Sequence, residues 1–303
     1  MADTERLLLI ATPLMNRTPA FDRAAALARV RSAALHIVAF DYVEGIASAG
    51  LVNETAINEM REGYLHSHRE WLEEEAKGIR HLGIQVTTEV IWVARPFEEI
   101  LTYIQELKPS MVIKDLQHES WLTRAFFTTL DMRLLHDCPV PLHLVAKVQH
   151  GIPRKILAAV DPFRLEDQFE HLNDRIITTA ETLAEQCNAQ LHLLYVYDLS
   201  YIYAMDGGMG EASSVVDTLY EKESETFGRL ADSYGVPEDR RHLIMGNPAK
   251  VIESLVVSAG IDVVVLGTVH RDVMNKLMGS TTEQLANHLP SSLLTVNPRS
   301  AQP

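Results

Sequence analysis

The chain repeats itself. LLLIATP at 7–13 returns as ILAAVDP at 156–162, and SAALHIVAFDY at 32–42 returns as NAQLHLLYVYD at 188–198, with His36 opposite His192. RPFEEILTYIQELKPSMVIKD at 95–115 returns as NPAKVIESLVVSAGIDVVVLG at 247–267, 152 residues on and without a gap. Three blocks in the same order read as a tandem duplication. A duplication constrains the fold more than composition does, because each copy of about 150 residues must bury a core of its own, and that is an ordinary domain size. The junction falls near AKVQHGIPRK (146–155), where Gly151 and Pro153 break periodicity, so the domains are expected at 1–150 and 151–303.

Each copy runs through the same elements. A short apolar run is followed by a helical pattern, expected at about 17–32 and 166–187. A second run follows (LHIVAF, LHLLYV), then a charge-rich helical connection, a third run, an amphipathic helix, a fourth run (MVIKD, DVVVLG), another helix and a last run (PLHLVAK, SLLTVN). Apolar runs alternating with helical patterns imply βαβ units and a parallel sheet. Nearly continuous apolar strands such as DVVVLG imply burial on both faces. Pro96 and Pro248 each begin a helix at the position where a missing N–H costs nothing. Asn247 before Pro248 is a good N-cap, and Arg95 before Pro96 is not. The fold class is therefore α/β, as two tandem Rossmann-like domains, each a parallel sheet flanked by helices.

Composition narrows the functional classes. Apolar residues make up 47% of the 303, enough to build two cores, and Asp plus Glu (41) outnumber Lys plus Arg (27) for a net charge of −14. That balance disfavours nucleic acid and anionic membrane as partners. No run reaches the roughly 18 apolar residues of a membrane span. The start MADTERLLLIATP places Asp3 and Glu5 where a secretion signal needs positive charge. The two cysteines, Cys138 and Cys187, make no disulfide framework and read as reduced thiols, so a cytoplasmic location is expected.

In an open α/β sheet the ligand crevice lies beyond the carboxyl ends of the strands. In the second copy those ends are Asp161, Val196 to Asp198, Gly246-Asn247-Pro248 and Gly267, and Gly279-Ser280-Thr281 follows ahead of TTEQLANHL. Glycines let backbone N–H groups approach a phosphate, a helix N-terminus adds a favourable partial charge, and the Ser280 and Thr281 hydroxyls add donors. The same triplet also reads as an ordinary loop and N-cap.

The strand Asp, the Gly-x-Pro strand end and VVVLGTVH…LMGSTTEQLANHLPSSLLTV resemble the universal stress protein superfamily, and the duplication resembles its tandem-domain (E-type) bacterial members. The resemblance covers nearly the whole chain. It implies adenine nucleotide alpha hydrolase-like domains, each with a five-stranded parallel sheet, that pair through their final strands, here 140–146 and 292–297. It also implies an ATP site in which Gly-x2-Gly-x9-Gly-Ser/Thr wraps the phosphates and ribose, while the strand-one Asp and the strand-two end hold adenine. Carried over by position, the site residues are Asp161, Val196, Gly246, Gly267, His270, Gly279, Ser280 and Thr281, with ATP, and Mg²⁺ beside it, as the cofactor. His270 stands where the pattern has its middle glycine, and 8 residues rather than 9 separate it from Gly279. A side chain and a shorter loop both disturb a backbone phosphate nest; His270 either donates to a phosphate or fills the space.

The first copy departs further, with Thr12 for the Asp, Asp115 for the first glycine, His118 for the second and Phe127 for the last. A carboxylate repels phosphate, so this copy is expected to pair with the second rather than bind nucleotide. Trp121, Phe126 and Phe127 leave an apolar ligand as an alternative. His66, His68, His118, His136 and Cys138 lack the paired spacing of a zinc site, so no metal is expected. Glu73-Glu74-Glu75 reads as a solvated helix face. The glycine- and tyrosine-rich segment 200–214 is either a lid or a plain loop. No catalytic group stands out. The expected function is a stress-response binding and regulatory protein, not an enzyme, with one adenine nucleotide site in the second domain. The alternative is a scaffold or carrier of a small apolar ligand. A homodimer remains open.

Overall fold

A computed structural model describes residues 5–41, 54–116, 130–146, 150–163, 171–198, 212–268 and 281–297. The chain divides into two compact units, one built on residues up to Ile152 and one on Pro153–Pro298. In the first unit β1 (Arg6–Ala11), α1 (Pro19–Val30), β2 (Ala34–Asp41), α2 (Glu54–Arg80), β3 (Val86–Trp92), α3 (Pro96–Leu107), β4 (Met111–Asp115), α4 (Leu130–Asp137) and β5 (Leu142–Val145) alternate. All neighbouring strands are parallel, in the order β3-β2-β1-β4-β5. The second unit repeats this with β6 (Lys155–Val160), α5 (Leu172–Cys187), β7 (Gln190–Tyr197), α6 (Ala212–Ser233), β8 (Arg241–Met245), α7 (Pro248–Ala259), β9 (Val263–Gly267), α8 (Thr281–His288) and β10 (Ser292–Val296). Its order is β8-β7-β6-β9-β10, again parallel throughout.

The apolar runs form strands because helices cover both faces of each sheet. Successive side chains in a strand point to opposite faces, yet Leu7, Leu8 and Leu9 are all fully buried. Each such leucine removes enough apolar surface from water to contribute about 2 kcal/mol. The helices place their apolar residues at helical spacing. In α5 the buried residues are Leu172, Ile176, Ile177, Ala180, Leu183, Ala184 and Cys187.

Helix ends follow from local chemistry. The Asn247 side chain accepts a bond from the Lys250 N–H at 3.2 Å and caps α7, whereas Arg95 makes no side-chain cap on α3. Gly260 (φ 67°) closes α7 in the left-handed conformation that glycine adopts cheaply. α1 begins at Pro19, two residues later than the periodicity suggests, because proline favours the first helical position. Most of the expected early turns of α5, 166–170, lie outside the described residues.

Candidate functional site

In the second unit β6 lies between β7 and β9. The connections from β6 and β9 therefore leave the sheet in opposite directions, and a crevice opens at their carboxyl ends. A cavity of about 180 Å³ occupies that position, and Asp161, Val196, Gly267 and Thr281 all line it. Its floor is apolar, made by Val160, Ile176, Leu194, Ile252 and Leu266.

The first turn of α5 builds one wall. Asn173 accepts a hydrogen bond from the Asp161 N–H at 3.0 Å and donates its own amide to the Asp161 carbonyl at 2.8 Å. This double bond pattern imitates a neighbouring strand and holds the β6 end in place. The Asp161 carboxylate accepts from the Phe163 N–H at 3.2 Å and stays solvent-accessible at the cavity rim. Leu172 packs directly on Gly267. A Cβ built on Gly267 would lie 2.8 Å from Leu172 Cδ2 and 3.0 Å from both Cγ and Cδ1. On the other wall the Thr282 hydroxyl donates to the Gly267 carbonyl at 3.2 Å and ties the start of α8 to β9. The neighbouring Thr268 hydroxyl is buried, with no hydrogen-bond partner among the described residues.

In the first unit the equivalent switch lies between β1 and β4, ending in Thr12 and Asp115. The Asp115 carboxylate accepts from the Ala20 N–H, in the first turn of α1, at 3.2 Å. Burial pushes the Asp115 carboxyl above the usual range, and bonds from Thr18 and Ala20 oppose that shift. Beside it Lys114, buried in the sheet, pairs with the buried Asp131 of α4 at 2.7 Å and donates to the Asp115 carbonyl at 3.1 Å. The carboxylate sits where the N-terminus of α1 would otherwise receive an anion.

The sequence model of the universal stress protein family matches residues 6–146 and again 153–297. The chain belongs to the universal stress protein family. It is 27% identical over 301 residues to universal stress protein E of Escherichia coli K12, an alignment covering 98% of this chain and 95% of that one. A protein of unknown function from Pseudomonas aeruginosa PAO1 superposes with a TM-score of 0.74 at 22% identity, over 98% of this chain and 93% of that one. A universal stress protein of Archaeoglobus fulgidus does so with a TM-score of 0.65 at 17% identity, over 96% of each chain. These likenesses support two tandem domains of the universal stress protein fold.

Within this universal stress protein, four of the residues singled out from the sequence (Asp161, Val196, Gly267 and Thr281) meet at one cavity. Gly246 stands apart from the lining. It ends β8 at φ 149°, a conformation that favours glycine, and turns the chain into Asn247 and Pro248. His270, Gly279 and Ser280 lie outside the described residues, as do His118, Trp121, Phe126, Phe127 and the segment 199–211. Leu172, Asn173 and Thr282 were missed. Their sequence signals were weak: Leu172 reads as one more apolar helix residue, Asn173 as a polar one, and Thr282 as part of TTEQLANHL.

The remaining candidates resolve into structural roles. His68 is fully buried and pairs with the buried Asp41 at 2.5 Å, while His66 faces Glu70 on the exposed side of α2. Burial pushes the Cys138 thiol up to about 12, which keeps it protonated and unreactive. Glu73, Glu74 and Glu75 pair with Arg80, Lys77 and Arg17. Among the described residues no three His, Cys, Asp or Glu side chains converge to hold a metal, and no helix is long and apolar enough to cross a membrane.

Proposed function

We propose that the protein is a cytoplasmic stress-response binding and regulatory module with one adenine nucleotide site, in the second unit. The observation that carries this reading is the cavity at the β6/β9 switch, where Asp161, Val196, Gly267 and Thr281 converge. The residues present fit the base and ribose end. An apolar floor suits a flat ring, and a carboxylate at the rim accepts from an exocyclic amine or a hydroxyl. At the other end the first turn of α8 offers the Thr281 hydroxyl and a helix start towards a phosphate. The first unit is proposed to bind no nucleotide, since the Asp115 carboxyl already fills the corresponding place and accepts the Ala20 N–H.

Titration calorimetry with ATP and Mg²⁺ tests this on the full chain: saturable binding is expected, and its loss on Asp161→Ala. No heat at millimolar ATP, together with no nucleotide released from the purified protein, would overturn it. A second reading, a carrier of a small apolar ligand, draws on the apolar residues Val160, Ile176, Leu194, Ile252 and Leu266 of the same cavity. Native mass spectrometry separates the two, because a co-purified apolar mass favours the carrier and a nucleotide mass defeats it. The same proposal has the two units pairing through β5 and β10, each of which ends its own unit's strand order and presents an edge that needs cover. Slow amide exchange along both edges of β5 and β10 is expected. Fast exchange on one edge of each strand would contradict the pairing.

A further inference from the structure

Both copies place a buried histidine at the same point of their second strand and bind its ring to the outermost strand of the unit. In the first unit His36 of β2 meets the Thr87 hydroxyl of β3 through Nδ1 at 2.6 Å and the Tyr103 hydroxyl of α3 through Nε2 at 2.5 Å. Tyr103 donates its own proton to Glu89 of β3 at 2.5 Å, so it accepts from His36 Nε2–H. In the second unit His192 of β7 meets His242 of β8, Nδ1 to Nε2, at 3.1 Å. β3 and β8 each end the strand order of their own unit, so each histidine ties down an edge strand.

The two ties answer a proton differently. A protonated His36 donates from both ring nitrogens, and the Thr87 and Tyr103 oxygens can both accept. The Glu89 carboxylate stands 3.9 Å from Nε2 to balance the charge. In the histidine pair one facing nitrogen must donate and the other accept. The pair takes a first proton on the outer nitrogen of His242 and keeps its bond. A second proton sets N–H against N–H and cation against cation. His192 Nε2 is buried without a hydrogen-bond partner, so that second charge gains no acceptor.

We propose that the His192–His242 pair is an acid-sensitive clasp on β8, so that acid loosens the outer edge of the second unit while the His36 site keeps that of the first. The surrounding charges act in the same sense. Burial opposes a cation on His192 most, followed by His242, Lys155 of β6 and Arg240 in the turn before β8, with Asp239 working against them. Lys155 donates to the Ala259 carbonyl at the end of α7 at 2.8 Å, and α7 also carries Lys250 and Glu253. Arg241, beside His242, is paired with Asp232 of α6. Around His36 burial is opposed by Glu89 and assisted by Arg6 of β1, and α3 carries Glu98, Glu99 and Glu106. His192 is held down to about 4. Once β8 opens, the ring returns towards its ordinary value near 6.5, so the clasp is whole above that pH and is lost as pH falls towards 4. Beyond Met245 the chain turns through Gly246 into α7, whose Pro248 and Ile252 line the crevice, so the clasped strand also carries one crevice wall.

Hydrogen exchange on the full chain tests this, with each rate corrected for the intrinsic effect of pH. One readout is β8 with the residue after it (241–246), where the Gly246 N–H donates to the Tyr197 carbonyl at 3.0 Å. The internal reference is β3 with the residue after it (86–93), where the Val93 N–H donates to the Asp41 carbonyl at 2.8 Å. Between about pH 7 and about pH 4 the protection of β8 is expected to fall roughly tenfold or more relative to β3. Equal changes in the two strands overturn the proposal. His242→Gln keeps a donor towards His192 but does not titrate, and it is expected to abolish the difference between the strands. A difference that persists undiminished in His242→Gln overturns the proposal as well. Should that variant fail to fold, His192→Gln replaces the other member of the pair with the same two outcomes, and the wild-type comparison stands by itself.

Discussion

Gly267→Ala probes the contact that shapes the second crevice. The added methyl would sit 2.8–3.0 Å from three carbons of Leu172, against the roughly 3.5–4.0 Å of a comfortable carbon–carbon contact. Because Cγ is one of the three, the leucine cannot escape by a simple methyl rotation. Overpacking of this kind costs about 1–3 kcal/mol. Gly267 is not among the positive-φ glycines, so alanine fits its backbone and recovers about 0.4–1 kcal/mol by restricting the unfolded chain. The net expectation is a loss of about 1–2 kcal/mol in the wild-type background. With Leu172→Ala the crowding is gone, and Gly267→Ala should become neutral or stabilising by about 0.5 kcal/mol. The pair should therefore couple by roughly 2 kcal/mol in a double-mutant cycle. Urea unfolding of the four proteins, compared at constant m-value, reads this directly. An equal cost for Gly267→Ala in both backgrounds would refute the reasoning.

Other consequences are open to the same kind of measurement. His192 and His242 form an N···N contact of 3.1 Å with rings 13° from coplanar and centroids 5.4 Å apart, a near-linear shared hydrogen bond. Burial first, and then the neighbouring His242, lower the His192 pKa to about 4. The unfolded chain, near 6.5, takes up the proton earlier. Stability present above pH 6.5 should then be lost as pH falls towards 4, by about 2 kcal/mol after allowance for solvent screening, and His192→Leu should flatten that slope in pH-dependent urea titrations. Asn173→Ala removes both bonds to the Asp161 backbone and should cost about 1–3 kcal/mol, with faster amide exchange at Asp161; unchanged exchange there would show that the clamp does not hold the strand end. Lys114→Met leaves Asp131 buried without its cation and should cost about 3–5 kcal/mol, whereas Lys114→Met with Asp131→Leu should recover most of it in thermal melts.

Much of the fold was legible because its determinants are local or periodic. Apolar runs bounded by Gly and Pro gave strands, Asn247-Pro248 gave a helix start, and the repeat placed a second copy on the first. The strand ends were legible for the same reason, so Asp161, Val196, Gly267 and Thr281 were selected before their convergence was seen. What escaped depends on contacts across long sequence distances. Leu172 reads as one more apolar helix residue until it is found lying on Gly267. Asn173 reads as a surface polar residue until both its amide groups meet Asp161. Asp115 was identified as repulsive to phosphate, yet its role as the cap of α1 needed the geometry of Ala20. The Asp41–His68 pair joins a strand end to the middle of a long helix, and nothing in either local sequence announces it.

Under the proposed function one of two related crevices takes an adenine nucleotide and the other is closed by its own carboxylate. Hydrogen exchange of the full chain with and without ATP and Mg²⁺ measures this most directly. New protection is expected at Asp161, Val196 and Thr281–Thr282 in the second unit, and none at Thr12, Ala20 and Asp115 in the first. Protection at the first unit's strand ends, or at neither set, would contradict it.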